Sequence, residues 1–373
     1  MRQILVSAFS MAIPFLVIHY SSKEVWGEFV SVLLFTLFAL QIINWGNKEY
    51  LLRLFSIHPG KIRIYFSSTL ITRLPLVVLF SLIAFFAFPT VNVFFVFLWI
   101  LGRYFSYSVE PILFFEKKFN LFLIIEIITF LLFCSTLFLL KEGIDSLKLL
   151  IIYSLYQFIK GIISLFFFRS FIRFENLQFD YTFYKKALPF FMLSVFGFLI
   201  SKSDVYFVQY FCDKSTTANY QILNGLLVFI ITISVFIYSP FTKNIYRNNT
   251  IVIKKYQKTL SLLGLIIVPI SLFLCYFIIF YYLKLKLSVW FYILAFIYIY
   301  PSYMYGIQIV NKFKTNKEQL VILFLFYSAI TNVFFSSLFL YLGYGMLGAL
   351  SGGCLSQIVA LYLFCVKKDT KAL

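Results

Sequence analysis

The sequence predicts an all-α integral membrane protein with about twelve transmembrane helices, in two six-helix lobes related by a parallel internal repeat. Three observations predict it. The composition suits lipid rather than water, apolar runs of spanning length follow one another along the chain, and a turn motif recurs about half a chain later.

Of 373 residues, 62% are hydrophobic and 22% aromatic, with 51 Phe and 27 Tyr, while only 12% are charged. A soluble domain carries about 25% charged residues, and no globular core is large enough to hide the apolar excess. The composition excludes an ordinary soluble enzyme, a disordered chain and a disulfide-rich secreted module. The net charge of +18 comes from 32 Lys+Arg against 14 Asp+Glu. These cations fall between apolar runs rather than along one stripe, so nucleic acid is not an expected partner. Cys134, Cys212, Cys275, Cys354 and Cys365 form no C-x-x-C pair, and His19 and His58 are the only histidines. No metal-ligand spacing results, and no metal or cofactor is expected.

A spanning helix needs about 17–25 apolar residues. Such runs occupy Ile4–Tyr20, Trp26–Trp45, Ile64–Phe88, Val91–Val109, Phe119–Leu140 and Leu147–Phe168. The second half holds Leu188–Phe211, Ala218–Pro240, Thr259–Leu283, Leu287–Val310, Leu320–Leu342 and Met346–Val366. The first run follows Arg2 and lacks a small-residue cleavage site, so it reads as a short first helix rather than a signal peptide; whether its start is complete stays open. The runs do not alternate, which excludes barrel strands. Connections are short, and the two lobes are expected over residues 1–180 and 181–373.

With the N-terminus placed inside, the cations of inside segments outnumber those outside by more than three to one. Outside segments hold only Lys23, Lys141, Lys148, Lys202, Lys214, Lys284 and Lys286. The bias predicts both termini in the cytoplasm, with the Lys284–Lys286 loop as the exception.

Lys23-Glu-Val-Trp-Gly27-Glu-Phe29 precedes the second run, and Lys214-Ser-Thr-Thr-Ala218-Asn-Tyr220 precedes the eighth, an offset of 191. Pro75 and Pro111 find Pro269 and Pro301 at similar offsets. Six helices per half make this a parallel repeat about an axis along the membrane normal.

A charge in hydrocarbon costs at least about 2.5–3.5 kcal/mol on insertion scales. Six residues carry one away from the ends of the predicted spans: Arg73, deepest and beside Pro75; Arg103; Glu126; Lys160; and Lys202 with Asp204. The last five predicted spans hold no comparable charge. A water-filled cavity with a cationic lining would bind an anion, and the planar fork of Arg suits phosphate. Alternatively Arg103, Lys160 and Lys202 snorkel to an interface, and Lys202 with Asp204 forms a local headgroup pair. Glu126 either neutralises a cation or carries a proton. Gln41, Asn44, Gln157, Asn224, Gln308, Asn332 and Gln357 suit interhelical hydrogen bonding, and Tyr281, Tyr282, Tyr298 and Tyr300 suit interface belts. The sequence contains no G-x-x-x-x-G-K-[ST], G-x-S-x-G or H-E-x-x-H, so the chain reads as a non-enzyme.

The passage Lys202-Ser-Asp204-Val-Tyr-Phe-Val-Gln-Tyr-Phe, followed by Lys214 through Ala218-Asn-Tyr220, resembles the helix 7 to helix 8 passage of polysaccharide-unit flippases. Gly343-Tyr-Gly345-Met-Leu-Gly348-Ala349-Leu-Ser-Gly352 resembles their helix 11 to 12 turn, and Trp26-Gly27-Glu-Phe29 the turn after helix 1. With these turns the whole chain resembles the Wzx-type O-antigen flippases of the multidrug/oligosaccharidyl-lipid/polysaccharide exporter superfamily. The resemblance implies a MATE-like, V-shaped pair of lobes in the bacterial inner membrane. Such a protein moves a polyprenyl-diphosphate-linked oligosaccharide, an O-antigen or capsule repeat unit, to the outer leaflet by alternating access. Its implied partners are that substrate, membrane lipid and the O-unit polymerase machinery. On this resemblance Arg73, Arg103, Lys160 and Lys202 are candidate diphosphate-binding cations, and Asp204 and Glu126 candidate coupling-ion carboxylates. Two rival readings are a drug exporter of the same superfamily, which predicts an acid-lined cavity, and an O-unit polymerase, which predicts a long catalytic outer loop.

Overall fold

The computed structural model describes residues 2–140, 143–173, 178–247 and 249–366. Among these residues every regular element is helical, because a backbone in lipid must satisfy its own hydrogen bonds. The helices are α1 (Arg2–Tyr20), α2 (Lys23–Asn44), α3 (Asn47–Ile57), α4 (Ile62–Ala87), α5 (Thr90–Phe115), α6 (Phe119–Leu139) and α7 (Ser146–Phe167). They continue as α8 (Thr182–Phe211), α9 (Lys214–Tyr238), α10 (Thr242–Arg247), α11 (Thr250–Phe277), α12 (Val289–Lys314), α13 (Glu318–Tyr341) and α14 (Gly345–Leu361). Among the described residues eleven helical segments are long and apolar enough to cross a membrane, and Leu5–Tyr20 is a shorter apolar helix. The chain is a multi-pass membrane protein.

Two compact units divide the chain, Met1–Val195 and Phe196–Leu373. In the first, α5 and α7 pack with their backbones in contact: a Cβ on Gly102 would lie 2.5 Å from the Phe158 Cα, and a Cβ on Gly161 would lie 2.6 Å from the Gly102 Cα. Small residues at such crossings let helices approach in lipid, where no hydrophobic force drives them together. Beside this crossing, the buried Phe29 ring stacks on Trp99 at 5.5 Å, and Trp99 meets Tyr153 edge-on at 4.6 Å. In the second unit α13 packs on α14 and α11 on α12. Large apolar side chains point outward instead: Phe86 is 86% exposed and Leu139 79%. Buried polar groups with exposed apolar ones are the arrangement lipid favours.

Several helices run beyond the apolar runs that predict them. The fourth run ends at Val109, but α5 continues through Glu110 and Pro111 to Phe115. The ninth begins at Thr259, but α11 starts at Thr250, where Asn249 Oδ1 accepts the Val252 amide at 3.1 Å. Hydropathy marks the part of a helix that lipid covers, whereas capping sets where the helix begins. The segment after Trp45, expected as a loop, contains α3. Trp45 (φ 43°) and Gly46 (φ 65°) take left-handed conformations that separate it from α2. A Cβ on Gly46 would lie 2.7 Å from the Phe191 amide nitrogen, so glycine is required there. Trp45 is held by a 3.8 Å stack on Phe191 and by its indole N–H donating to the Tyr184 carbonyl at 3.0 Å.

The repeat appears in the elements themselves. Residues 20 and 23, which end α1 and begin α2, map by the offset of 191 onto 211 and 214, which end α8 and begin α9. Ser22 caps α2 by accepting the Val25 amide, and Asp213 caps α9 by accepting the Thr216 amide, each at 3.3 Å. Pro75 and Pro269 lie inside α4 and α11, and Pro111 and Pro301 inside α5 and α12.

Candidate functional site

The six predicted charges form three arrangements. The first joins α4 and α5. Arg73 is 1% exposed. Its Nε donates to the Thr69 carbonyl at 3.2 Å, and its Nη2 donates to Ser108 Oγ at 2.7 Å. The guanidinium lies 5.1 Å from the Tyr104 ring centre, and the Tyr104 hydroxyl donates to the Leu70 carbonyl. Arg73 Nη1 is buried with no hydrogen-bond partner. The charge thus has hydroxyl, carbonyl and ring contacts, and none of these supplies a compensating carboxylate.

The second arrangement joins α5, α6 and α7. Lys160 and Glu126 form an ion pair at 2.5 Å with side chains 3% and 4% exposed. Lys160 therefore does not reach an interface here, and Glu126 neutralises it. The Lys160 ammonium also stands 5.7 Å from the Phe122 ring. Arg103 is half-buried, lies 5.5 Å from the Tyr107 ring, and is within electrostatic reach of Tyr153, Tyr156 and Glu126. Cation–π contacts of this kind favour a cation the more it is desolvated.

The third arrangement joins α8 and α9. Lys202 and Asp204 do not pair directly; Asn224 stands between them. Lys202 Nζ donates to Asn224 Oδ1 at 2.6 Å, while Asn224 Nδ2 donates to Asp204 Oδ2 at 3.2 Å and to the Ser201 carbonyl at 3.1 Å. The Tyr220 hydroxyl donates to Asp204 Oδ2 at 2.6 Å, and the Val205 amide donates to Oδ1 at 3.0 Å. Asp204 is 1% exposed and Tyr220 1%, while Lys202 is half-buried.

The offset of 191 carries Lys202, Asp204, Tyr220 and Asn224 back onto Met11, Ile13, Phe29 and Leu33, all apolar. Ile13, Phe29 and Leu33 are buried. The first unit thus builds the same two helices with a hydrophobic set at these positions. The fold does not require the polar set at these positions.

Two expectations need correction. The last five spans do hold a buried charge: Lys312, placed in a loop by its flanking cations, is 7% exposed near the end of α12 and lies 5.2 Å from the Phe324 ring. Tyr298, expected at an interface, is 1% exposed, and a Cβ on Gly353 would lie 2.9 Å from its ring, because α14 presents glycines to that face of α12. Tyr220 was marked in the sequence only as the aromatic of a turn motif, not as a partner of Asp204, and Gln257 had no signal as a clamp residue. Gln257 Nε2 donates to the Tyr303 carbonyl at 2.8 Å and its Oε1 accepts the Ile307 amide at 3.2 Å, just past Pro301. Among the described residues no cluster of His, Cys, Asp and Glu is arranged to hold a metal.

No family model matches the chain, and no curated protein matches it in sequence. Solved structures do match. The lipid II flippase MurJ in an inward closed conformation superposes with a TM-score of 0.63 at 13% identity, covering 97% of this chain and 85% of MurJ. A MATE protein in complex with MaL6 gives 0.61 at 10% identity, over 98% and 92% of the two chains. An inward-facing multidrug resistance MATE family transporter of the MOP superfamily gives 0.58 at 9%, over 97% and 92%. The chain has the fold of these membrane transporters. That fold accounts for the two helical units and leaves the substrate to the residues within them.

Proposed function

We propose that this protein is a flippase of the bacterial inner membrane. It moves a polyprenyl-diphosphate-linked oligosaccharide, an O-antigen or capsule repeat unit, from the inner to the outer leaflet by alternating access. The observation that carries the proposal is cationic charge retained inside the membrane without matching acid. Among the described residues Arg73 has no carboxylate contact, and Glu126 is one carboxylate between Lys160 and Arg103. An uncompensated buried cation is costly, and a diphosphate would offset that cost on arrival. The likeness to the lipid II flippase supports the reading at the level of fold.

Within this reading the four cations differ in role. Arg103 and Lys202 are half-buried and have surface to offer a headgroup. Arg73 and Lys160 are sealed and act through their field. Asp204 is the coupling-ion carboxylate, because Glu126 is already committed to Lys160. The Lys and Arg bias of the loops supports a cytoplasmic location for both termini. The test is genetic: delete the gene and follow the lipid-linked unit. Accumulation of the unit on the inner leaflet is expected, and continued polymerisation outside would overturn the assignment.

A drug exporter is the second reading, favoured by the two MATE structures among those that match. It predicts efflux of cationic dyes by cells expressing the protein, whereas the flippase reading predicts none.

A further inference from the structure

A cavity of about 500 Å³ opens in the second unit beside α9, α10 and the first turns of α11. Its volume is within the range of small-ligand sites, about 300–1,000 Å³. Ile237, Phe241, Leu260 and Leu263 give it an apolar wall, and Lys255 and Thr259 line it as well. Lys255, Thr259 and Leu263 recur at helical spacing, so they share one face of α11. The same face continues into Ile266, Ile270 and Phe273, which are 60%, 55% and 61% exposed. One helix face therefore grades from ammonium to hydroxyl to hydrocarbon, the order of groups along a phospholipid.

The charges that α10 and α11 bring to the cavity are of one sign. Arg247, Lys254, Lys255 and Lys258 are all exposed. Between Asp213 and Glu318 the sequence contains no Asp or Glu, and Glu318 is within electrostatic reach of Tyr246. A soluble anion would satisfy the cations and leave the apolar wall uncovered, and a neutral lipid would do the reverse. We propose that this cavity seats an anionic phospholipid of the leaflet facing these lysines, with its phosphate on Lys255 and one acyl chain against Ile237, Leu260 and Leu263. The site shares no residue with the charged arrangements described above, and it does not depend on what the protein transports.

The test uses the purified full chain, delipidated in detergent, with lipid binding read by native mass spectrometry. Dioleoyl-phosphatidylglycerol is expected to bind more tightly than dioleoyl-phosphatidylcholine. Lys255→Gln should weaken the phosphatidylglycerol complex about fivefold, the effect of one cation near an anionic lipid, and weaken the zwitterionic phosphatidylcholine complex less. Leu263→Trp, which fills the acyl seat, should weaken both, and Lys284→Gln neither. Equal affinity for the two lipids, or an unchanged phosphatidylglycerol complex in folded Lys255→Gln, would overturn the proposal. So would a Lys255-dependent preference for polyprenyl diphosphate over phosphatidylglycerol. Should either cavity variant fail to fold, a phosphatidylglycerol with a photoreactive acyl chain is crosslinked to the wild-type protein. Label within residues 237–263 supports the site, and label confined elsewhere refutes it.

Discussion

Tyr220 donates its phenolic hydrogen bond to Asp204 across 2.6 Å, while the residues 191 positions earlier, Phe29 and Ile13, are both apolar and buried. The protein thus holds an internal control for its own polar set. Replacing buried ionic groups with apolar ones of similar volume is often neutral or stabilising by about 1–4 kcal/mol. The combined variant Lys202→Met, Asp204→Ile, Tyr220→Phe and Asn224→Leu copies the first unit's residues. It is expected to melt no lower than wild type in detergent and to lose transport. Retained transport would remove the set from the mechanism.

The Glu126–Lys160 pair predicts a different pattern. Lys160→Met leaves Glu126 sealed without its partner, at a cost of about 3–5 kcal/mol. The double variant Lys160→Met with Glu126→Leu should recover most of that loss. A thermal double-mutant cycle measures the coupling directly; additive effects would contradict the pair.

Arg103 should behave unlike either. Arg103 as a residue is half-buried, with its guanidinium over the Tyr107 ring, so Arg103→Gln is expected to leave the melting temperature within a few degrees of wild type. Loss of one charge-assisted contact, worth about 1.5–3 kcal/mol, should weaken binding of a polyprenyl diphosphate tenfold or more. Unchanged binding would exclude direct contact.

Asp213 gives a pH-dependent prediction outside the membrane spans. Hydrogen bonding from Thr216 and neighbouring amides holds its carboxyl below the usual carboxylate range. A group with a lowered folded pKa adds stability that is present above its unfolded value, about 3.9. That stability is lost as pH falls through the folded value. Asp213→Ala should therefore lower stability by about 1 kcal/mol at neutral pH, with the difference from wild type shrinking as pH falls below about 4. A difference independent of pH would rule out a role for the charge.

The membrane-spanning helices were legible because lipid imposes long apolar runs whatever the function. α3 was not, since its Lys48, Glu49 and Arg53 break the apolar run, and what defines it is the left-handed turn at Trp45–Gly46. The six charges were found as exceptions to the apolar rule, but their partners were not. Glu126 and Lys160 meet from different helices, and no spacing in sequence announces that. Lys312 was hidden by the other lysines near it, and Tyr220 stood out only as the aromatic of a turn motif, with nothing to show that its hydroxyl meets Asp204. Gln257 was hidden because its role lies in the backbone of α12, which composition does not describe.

The contact between Gly102 and Gly161 also governs electrostatics. Each glycine is the sequence neighbour of a cation, Arg103 and Lys160. Like charges on adjacent helices ordinarily drift apart, yet here two bare backbones hold their helices too close for a Cβ to fit between them. Glu126 is left as the common counterweight to both. Any side chain introduced at the crossing would widen the gap and dilute the local potential, so steric size at two uncharged positions becomes a control on charge density.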